Sequence, residues 1–399
     1  MHIHQLYCPG LDHHVLYQKP SRPNSWTLAF ILWLAALALG LPTGAEAQDS
    51  LIYPSEQNFR NARMLTRGGD NAEAYWNNAS NSLIFQSNNP AWGLQCDQIF
   101  VLDSTRVNKP DANISGLHQD SVGSLVSQKP VMVSTGKGRT TCAYFVPGDQ
   151  KVVWASTHGQ QEACPPPPTP RPDRKYLWPI DAAYDIYLSD LKGGQQEVLV
   201  GSTGYDAEAT FSPDGQWMVF TSTRDGDLDL YLMSWPNRKI SRVTKELGYD
   251  GGAFFSPDSK KLIFRASRPR TPEEISEYRA LLAEDLVAPT RMELFVCNLD
   301  GSDLRQITQL GGANWAPYFH PDGRRVIFSS NHHSKRGFPF NLFMIHLDGS
   351  GLQQITFDTM FDSFPMFSPD GRRLVFASNR RNGGNRDTNL ILVDWIDRP

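Results

Sequence analysis

Short oxygen-bearing side chains recur at one position of a repeated segment in this sequence. When the repeats are aligned on a tight turn, that position holds Asn71, Thr140, Asp206, Asp250, Asn314 and Asp362. Carboxylate, amide and carbonyl oxygens are the ligands that Ca²⁺ prefers in proteins. The same side chains can instead hydrogen-bond to nearby backbone and cap a loop. Two interpretations stay open: loop caps, or a ring that binds a cation or a partner's amino and hydroxyl groups.

A further carboxylate stands two positions along in two of the repeats, at Glu73 and Glu208. If the repeats surround an axis, these side chains lie near it. A carboxylate that is excluded from water needs a neutralising partner. One hypothesis is a Ca²⁺-like cation held by Asp206, Glu208 and Asp250, and the other is a neighbouring arginine.

Other candidate binding residues belong to long segments between the repeats' strands. Arg268, His332 and His333 lie in such segments, and Trp315 follows the polar position of the fifth repeat. A histidine pair near carboxylates could bind a metal or act as a general base, although adjacent histidines in loops commonly do neither. Tryptophan offers a large contact area for a protein or a sugar. The sequence contains no G-x-S-x-G or H-E-x-x-H motif, and we predict no catalytic residue.

The repeat itself predicts the elements that position these residues. Three clear copies are "YDAEATFSPDGQWMVFTS", "YDGGAFFSPDSKKLIFRAS" and "FDSFPMFSPDGRRLVFASN". A short strand runs into a Ser-Pro-Asp-Gly turn and a second strand rich in β-branched and aromatic residues returns. A third strand and a fourth, marked by "IT", follow. A strand-rich unit of roughly 40–50 residues is typical of a propeller blade.

Six copies of this unit are present, aligned on Asn77, Val146, Ser212, Ser256, His320 and Ser368. We therefore predict an all-β fold, a six-bladed β-propeller of four-stranded antiparallel blades over residues 71–399. The sixth copy ends at "LILVDWIDRP" without a fourth strand, whereas "ARMLT" at Ala62–Thr66 precedes the first copy. Pairing this strand with the last blade would close the ring and cover an exposed edge.

The first 47 residues differ in kind from the repeats. Leu28–Leu39 is apolar, follows Lys19 and Arg22, and precedes the small residues "AEA". This pattern predicts a secretory signal peptide over residues 1–47, and an uncleaved membrane anchor is the alternative. Residues 48–70 would form a leader that contains the ring-closing strand. The mature protein would then be periplasmic or secreted in a bacterium, without a membrane span.

The net charge bears on nucleic-acid binding, and the cysteines bear on disulfide pairing. The formal net charge of −4 gives no basic footprint for nucleic acid. Export would permit disulfides. We predict a Cys142–Cys164 bridge, with a pair that uses Cys96 as the alternative, and a buried, reduced Cys297 inside the apolar strand "ELFVCNL".

One insertion has a helical pattern, "TPEEISEYRALLAEDL". Thr271 suits the N-cap, Pro272 the first helical position and Glu274 the reciprocal place of a capping box. We predict a helix over about residues 271–287 that packs on the rim of the propeller.

The "FSPDGxxIxFxS" core with a later "LYxxxxxGSxxxxIT" resembles the repeat of the TolB family, whose fold is a six-bladed propeller. The resemblance covers nearly all of the chain after residue 70. It implies a role like that of the family, which binds a peptidoglycan-associated lipoprotein in the bacterial envelope. This sequence departs from the family in one respect. TolB proteins carry an N-terminal α/β domain, whereas only about two dozen residues separate Ala47 from Asn71.

The loops divide between two faces of such a propeller. The "SPDG" and "LDGS" turns are short and share one face, and the long insertions between second and third strands share the other, which we name the insertion-rich face. We expect a non-enzymatic scaffold that binds an envelope protein or peptide on the insertion-rich face and channel mouth, with carbohydrate as a second kind of ligand. The alternative is a metal-assisted polysaccharide lyase or hydrolase at the channel mouth.

Overall fold

The computed structural model describes residues 51–398, except 104–106, 108–128, 167–170, 174, 195 and 336. The predicted signal peptide, residues 1–47, lies outside the described residues. Six four-stranded antiparallel sheets form the described chain, and their innermost strands contact one another in ring order from the first to the sixth and back. The predicted all-β, six-bladed propeller is confirmed.

The strands of the first three blades occupy successive places from the axis outward. Blade 1 consists of β2 (Asn71–Trp76), β3 (Leu83–Ser87), β4 (Gln98–Leu102) and β5 (Val131–Met132). Blade 2 consists of β6 (Thr140–Phe145), β7 (Lys151–Ser156), β9 (Asp185–Asp190) and β10 (Gln196–Val200). Blade 3 consists of β11 (Asp206–Phe211), β12 (Trp217–Ser222), β13 (Asp229–Ser234) and β14 (Ile240–Arg242).

The other three blades follow the same order. Blade 4 consists of β15 (Asp250–Phe255), β16 (Lys261–Ala266), β18 (Glu293–Asn298) and β19 (Arg305–Gln306). Blade 5 consists of β20 (Asn314–Phe319), β21 (Arg325–Ser330), β22 (Asn341–His346) and β23 (Gln353–Gln354). Blade 6 consists of β24 (Asp362–Phe367), β25 (Arg373–Ser378), β26 (Asn389–Trp395) and β1 (Phe59–Met64).

The core lies between the blades. Each second strand contributes one large aromatic side chain that is fully buried: Phe85, Trp154, Phe220, Phe264, Phe328 and Phe376. Each such burial removes enough apolar surface to contribute roughly 1.5–3 kcal/mol to folding. The sheets therefore hold one another through apolar faces that a single blade could not cover alone.

The serine of the "SPDG" turn closes each turn locally. Ser212 Oγ donates to Asp214 Oδ1 at 2.6 Å and accepts from the Trp217 N–H at 3.0 Å. His320 takes the place of this serine in blade 5, where its Nδ1 accepts from the Asp322 N–H at 3.2 Å. His320 thus lies on the short-turn face, away from the insertions, and serves the turn.

The hydroxyl of the "IT" motif explains why that residue type recurs in the fourth strand. In blades 1, 3, 4, 5 and 6 the hydroxyl accepts a third-strand backbone N–H at 2.8–2.9 Å; the residues are Ser134, Thr244, Thr308, Thr356 and Thr66. The bond satisfies a buried donor at the point where the short fourth strand leaves the ladder.

Ring closure by the N-terminal strand is confirmed. β1 pairs antiparallel with β26, with Phe59 opposite Trp395 and Met64 opposite Ile391. The strand begins three residues before the predicted Ala62–Thr66 segment because Phe59 also stacks on Phe376, at 5.6 Å between ring centroids.

The predicted Cys142–Cys164 bridge is wrong. Cys164 is bonded to Cys96, with their Cα atoms 5.7 Å apart, and Cys142 and Cys297 are free and buried. Cys96 and Cys164 both lie in insertions of neighbouring blades on the same face. Cys142 lies on innermost strand β6, which directs its thiol toward the propeller axis, where it cannot reach an insertion.

A helix, a two-stranded sheet and a 3₁₀ turn lie outside the blades in the described residues. Helix α1 (Pro272–Leu282) begins with the complete capping box of Thr271 and Glu274 and ends about five residues before the predicted limit. Strand β8 (Trp178–Pro179) pairs antiparallel with β17 (Leu286–Val287). A 3₁₀ turn covers Pro90–Trp92. Within the described residues, no helix combines the length and apolar character needed to cross a membrane.

Candidate functional site

A β-bulge in every innermost strand directs one side chain to the propeller axis. The register shifts within each pairing of first and second strand, and the bulged residue has a φ between 48° and 60°. The bulged residues are Glu73, Cys142, Glu208, Gly252, Ala316 and Phe364. Left-handed backbone of this kind is costly for residues other than glycine and persists only where the surrounding structure enforces it. The six positions line one central cavity.

Glu208 is the fully satisfied carboxylate of this cavity. It accepts hydrogen bonds from Thr221 Oγ1 at 2.7 Å, from the Tyr249 hydroxyl at 2.9–3.0 Å and from the Gly252 N–H at 2.9 Å. Arg265, on β16 of the neighbouring blade, completes the set with a buried ion pair. Burial acts to lower the pKa of Arg265, but the Glu208 carboxylate outweighs it and raises that pKa. A neighbouring arginine, and not a metal ion, therefore neutralises Glu208.

Glu73 lies on the same cavity without such a partner. Its side chain is only 4% exposed, and its Oε2 has no hydrogen-bond donor among the described residues. Burial raises the pKa of Glu73 above its ordinary value, a hydrogen bond from Cys142 partly offsets this, and the charge of Glu208 adds to the rise. The cavity measures about 20 Å³, room for about one water molecule. The Glu73 carboxyl is therefore biased toward its neutral form.

Aromatic rings cross the axis on the short-turn side of this cavity. The ring centroid of Tyr75 lies 5.7 Å from that of Tyr144 and 5.4 Å from that of Phe254, and Tyr318 lies 5.1 Å from Phe254. These residues stand two positions beyond the bulges on their strands. They fill the channel and separate the polar cavity from the short turns.

A second aromatic group lies on the insertion-rich side. Trp178 packs 5.1 Å from Trp315 between centroids, and the Arg265 guanidinium lies 5.2 Å from the Trp178 ring. Trp315 also stacks on Phe340 at 4.5 Å, and its indole N–H donates to the Pro289 carbonyl at 2.9 Å. Trp315, which we predicted to face a partner, is thus buried in packing that covers the cavity.

We name the six polar residues that begin the innermost strands the polar column: Asn71, Thr140, Asp206, Asp250, Asn314 and Asp362. Its three aspartates each pair with an arginine 18 positions later. Asp206 Oδ1 accepts from Arg224 Nη2 at 2.7 Å, and Arg268 Nη2 lies 2.6 Å from Asp250 Oδ1. Asp362 forms the same pair with Arg380. All three carboxylates are fully buried, and burial raises the pKa of Asp250 to about 7 against the opposing effect of Arg268. The column lies in the seams between blades.

The other members of the column fasten the seams by neutral hydrogen bonds. Asn71 Nδ2 donates to the Thr388 carbonyl of the preceding blade at 2.9 Å, and Asn314 Nδ2 donates to the Met292 carbonyl at 2.9 Å. Thr140 Oγ1 donates to the carbonyl of the residue before β4, Asp97, at 2.9 Å. Asn71 in addition donates to Gly68 and Gly69 carbonyls, so the loop-cap interpretation describes part of its role.

The arginine partners went unrecognised in the sequence, although a signal for them exists. The second strand ends in Ser-x-basic in four blades, and the serine hydroxyl contacts the basic side chain at 2.8–3.1 Å; the basic residues are His158, Arg224, His332 and Arg380. Each stands 18 positions after a member of the polar column. The repeat therefore places a basic residue 18 positions after the polar residue that begins the innermost strand.

This pattern also explains the histidine pair. His332 occupies the seam position that Arg224 holds in blade 3, and burial lowers its pKa below the ordinary value. His333 Nε2 lies 3.1 Å from Asn341 Oδ1 at the start of β22. Both histidines are therefore engaged by polar groups of blade 5.

The hypothetical metal set of Asp206, Glu208 and Asp250 is not assembled. Asp206 and Asp250 lie in different seams and Glu208 lies at the axis, each with its own arginine. In the part of the chain that the structure describes, no three side chains among His, Cys, Asp and Glu are grouped so as to hold a metal ion.

The insertions of blades 2 and 4 join into one module on the insertion-rich face. We name it the cap: the described part of residues 171–184 together with residues 271–291. The β8 and β17 strands connect the two segments, and the Ile180 N–H donates to the Asp285 carbonyl at 2.7 Å. Arg171 forms an ion pair with Glu284 at 2.6 Å, which joins the same segments at the surface.

Helix α1 anchors the cap to the propeller. The Tyr278 hydroxyl donates a short hydrogen bond to Asp227 in blade 3, and Tyr278 and Leu281 are buried. Lys175 pairs with Glu277 across the two segments. Two insertions that are far apart in sequence therefore form one ordered surface element.

The comparison with protein families finds a match that covers about half of the chain. Residues 178–278 and 286–386 match the model of the TolB beta propeller domain. These segments contain blades 3 to 5, two strands each of blades 2 and 6, and part of the cap.

Solved propellers share the overall architecture at low identity. A structure described as TolB from Agrobacterium tumefaciens is 16% identical, with a TM-score of 0.49 over 82% of this chain and 91% of that one. TolB from Acinetobacter baumannii is 19% identical, with a TM-score of 0.49 over 82% of this chain and 63% of that one. An oligogalacturonate lyase from Vibrio parahaemolyticus is 10% identical, with a TM-score of 0.47 over 87% and 96%.

Among curated proteins, an uncharacterized protein of Agrobacterium fabrum is 30% identical over 64 residues, which is 16% of this chain. The match spans only 22% of that relative's length. A similarity over so small a part of both chains gives no information about the activity of this protein.

Proposed function

We propose, from the premise that this chain belongs to the TolB β-propeller domain family, that it is an exported, non-enzymatic scaffold. Its partner would be a protein or peptide of the bacterial envelope, and the contact surface would be the insertion-rich face. Export rests on the apolar segment Leu28–Leu39 and the small residues that follow it.

The cap is the observation that carries this proposal. Its two segments are held by backbone pairing, by the Arg171–Glu284 ion pair and by the buried Tyr278 anchor. A surface element that is ordered before binding loses little conformational entropy when a partner docks. On the opposite face, the described connections within blades 2 to 5 are tight turns.

Binding would involve the outer surface of the cap and not the channel. The polar column is fully buried in the seams, and the central cavity holds about 20 Å³. A partner could reach Asp206 or Asp362 only if blades separated. The proposed interface therefore excludes the channel-mouth contacts that we expected from the sequence alone.

The enzymatic alternative gains no support from the geometry of the described residues. Its carboxylates, Asp206, Glu208 and Asp250, are each paired with arginine, and His332 is held by Ser330. A polysaccharide-cleaving site would need such groups to be accessible to substrate.

Site-specific photo-crosslinking in the envelope tests the proposal. A crosslinker at exposed Arg279 on the cap should capture a partner, whereas one at exposed Lys260 on the short-turn face is the matched control. Capture at position 260 alone would overturn the proposal. N-terminal analysis of the exported protein should find Gln48 first, and retention of residues 1–47 would contradict signal cleavage.

A further inference from the structure

We infer that a polar cavity beside the cap binds an acidic side chain of a partner peptide. This inference rests on the proposed function and names the chemistry of the partner. The cavity has a volume of about 340 Å³, within the range of about 300–1,000 Å³ that ligand sites usually occupy. The residues that carry the argument line it: Arg268, Arg270, Arg291, Gln306 and Gln309.

The three arginines of the cavity differ in how far their charge is neutralised. Arg268 is fixed, because Asp250 lies 2.6 Å and Glu246 lies 3.1 Å from its guanidinium. Arg291 is 84% exposed and has one contact of 3.4 Å, to Glu274. The Arg270 guanidinium forms neither an ion pair nor a hydrogen bond with the described residues, and its side chain is exposed. Arg270 is thus free to bind an anion, and Arg291 is held only by one long contact at the surface.

One carboxylate, Glu293, also lines the cavity, but its oxygens are already engaged. Oε1 accepts from the Gly311 N–H at 2.7 Å and Oε2 accepts from Asn314 Nδ2 at 3.1 Å. Glu293 therefore fastens the connection between blades 4 and 5. Its donors are backbone and amide groups, so it does not neutralise Arg270 or Arg291.

The free groups match a carboxylate on a peptide. A guanidinium presents a planar fork that binds both carboxylate oxygens. Gln306 Nε2 is engaged by the Thr308 carbonyl at 2.7 Å, which leaves its oxygen as an acceptor, and Gln309 is exposed beside it. These amides can bond to the backbone that flanks an acidic residue.

A peptide suits the cavity better than an acidic polysaccharide does. Sugar rings are commonly held on an open aromatic face. The aromatic side chain in this cavity is Phe295, which is buried, and the Arg268 guanidinium lies over its ring at 4.8 Å. The flat surface that a sugar would use is therefore occupied.

Fluorescence anisotropy with a labelled ten-residue glutamate peptide tests this inference. The wild-type protein should bind it, with a dissociation constant that increases with salt. The Arg270→Gln/Arg291→Gln variant should weaken binding about tenfold or more, because charge-assisted hydrogen bonds are lost. Arg324→Gln, which removes an exposed arginine from the short-turn face, is the matched control and should bind like the wild type.

Three results would overturn the inference: equal affinity of the double variant and the wild type, equal affinity for a glutamine peptide, or tighter binding of an oligouronate that displaces the peptide. Crosslinking at position 279 separates the two proposals. If position 279 still captures a partner while the acidic peptide fails to bind, the proposal that the cavity binds an acidic side chain is wrong. The proposed scaffold function is then still supported.

Discussion

Arg380 Nη2 lies 2.8 Å from Asp362 Oδ2, and both side chains are fully buried in the seam between blades 5 and 6. Glu56 of the leader reaches the same guanidinium at 2.9 and 3.0 Å. The leader thus contributes a carboxylate to the interior of the propeller in addition to its closing strand. Two carboxyl groups and one guanidinium therefore share a fully buried site.

The first prediction concerns this seam. Arg380→Gln leaves Asp362 and Glu56 buried without their cation, and we expect a loss of about 3–5 kcal/mol in the free energy of unfolding. Urea denaturation measures it. Arg224→Gln, at the equivalent but more exposed seam of blade 3, should cost clearly less. If both variants lost the same free energy of unfolding, the additional carboxylate of Glu56 in the leader would not determine the cost at Arg380.

A second prediction follows from the buried carboxyl of Glu73, whose Oε2 accepts no hydrogen bond from the described residues. Its folded-state pKa is raised, so its stabilising contribution is complete below the unfolded pKa of about 4.3 and is lost as the pH rises through the folded value. Glu73→Gln should therefore gain stability relative to the wild type as the pH rises. Unfolding free energies across the acid-to-neutral range measure this.

The control for Glu73 is Glu162→Gln, which changes an exposed carboxylate that burial does not affect. It should not reproduce the pH-dependent gain. A constant difference between Glu73→Gln and the wild type at every pH would contradict the raised pKa.

A third prediction concerns the disulfide. Cys96→Ala and Cys164→Ala should each lower the unfolding free energy by about 2–4 kcal/mol, and the double variant should cost no more than either one, because each change breaks the same bond. Peptide mapping without reductant should join the segments of these two cysteines. Recovery of a peptide that joins Cys142 to Cys164 would refute the assignment, and loss of the effect on reduction serves as the control.

The fourth prediction tests the bulge at the axis. A Cβ at Gly252 would collide with the Arg265 guanidinium, so Gly252→Ala should displace the Glu208–Arg265 pair and cost roughly 1–3 kcal/mol. Ala316 has a similar φ of 48° at the equivalent bulge, and Ala316→Gly is the matched control with a small effect. Thermal unfolding compares the two. A stable Gly252→Ala variant would mean that Arg265 can move without cost.

Much of the fold was predictable because its signals are local. The Ser-Pro-Asp-Gly turn and the fourth-strand threonine of blades 3 to 5 each act within one hairpin, and one buried aromatic residue recurs in every second strand. The last repeat lacks a fourth strand and an additional strand precedes the first repeat. These two features together predicted the closure of the ring. Helix α1 carries its start signal in Thr271 and Glu274.

The candidate site was less predictable because it depends on contacts between distant segments. The repeat pattern predicted that Glu208 lies near the axis, but it did not show that Asp206 lies in a seam or that Arg224 and Arg265 would neutralise the two carboxylates. A choice among three cysteines could not be made without knowing that Cys142 lies on an innermost strand. The sequence therefore supported an accessible acidic ring that the seams bury.

Amino-acid order alone thus established the number of blades, their strand pattern and the closure of the ring, since those follow from turn chemistry and apolar alternation over a few residues. Only the tertiary structure determined which carboxylates pair with which arginines and which surface the insertions expose. Trp178–Pro179 and Leu286–Val287 are more than a hundred positions apart, and their pairing creates the cap. Such pairing depends on where the blades hold the two insertions in space, and no local preference of either segment encodes it.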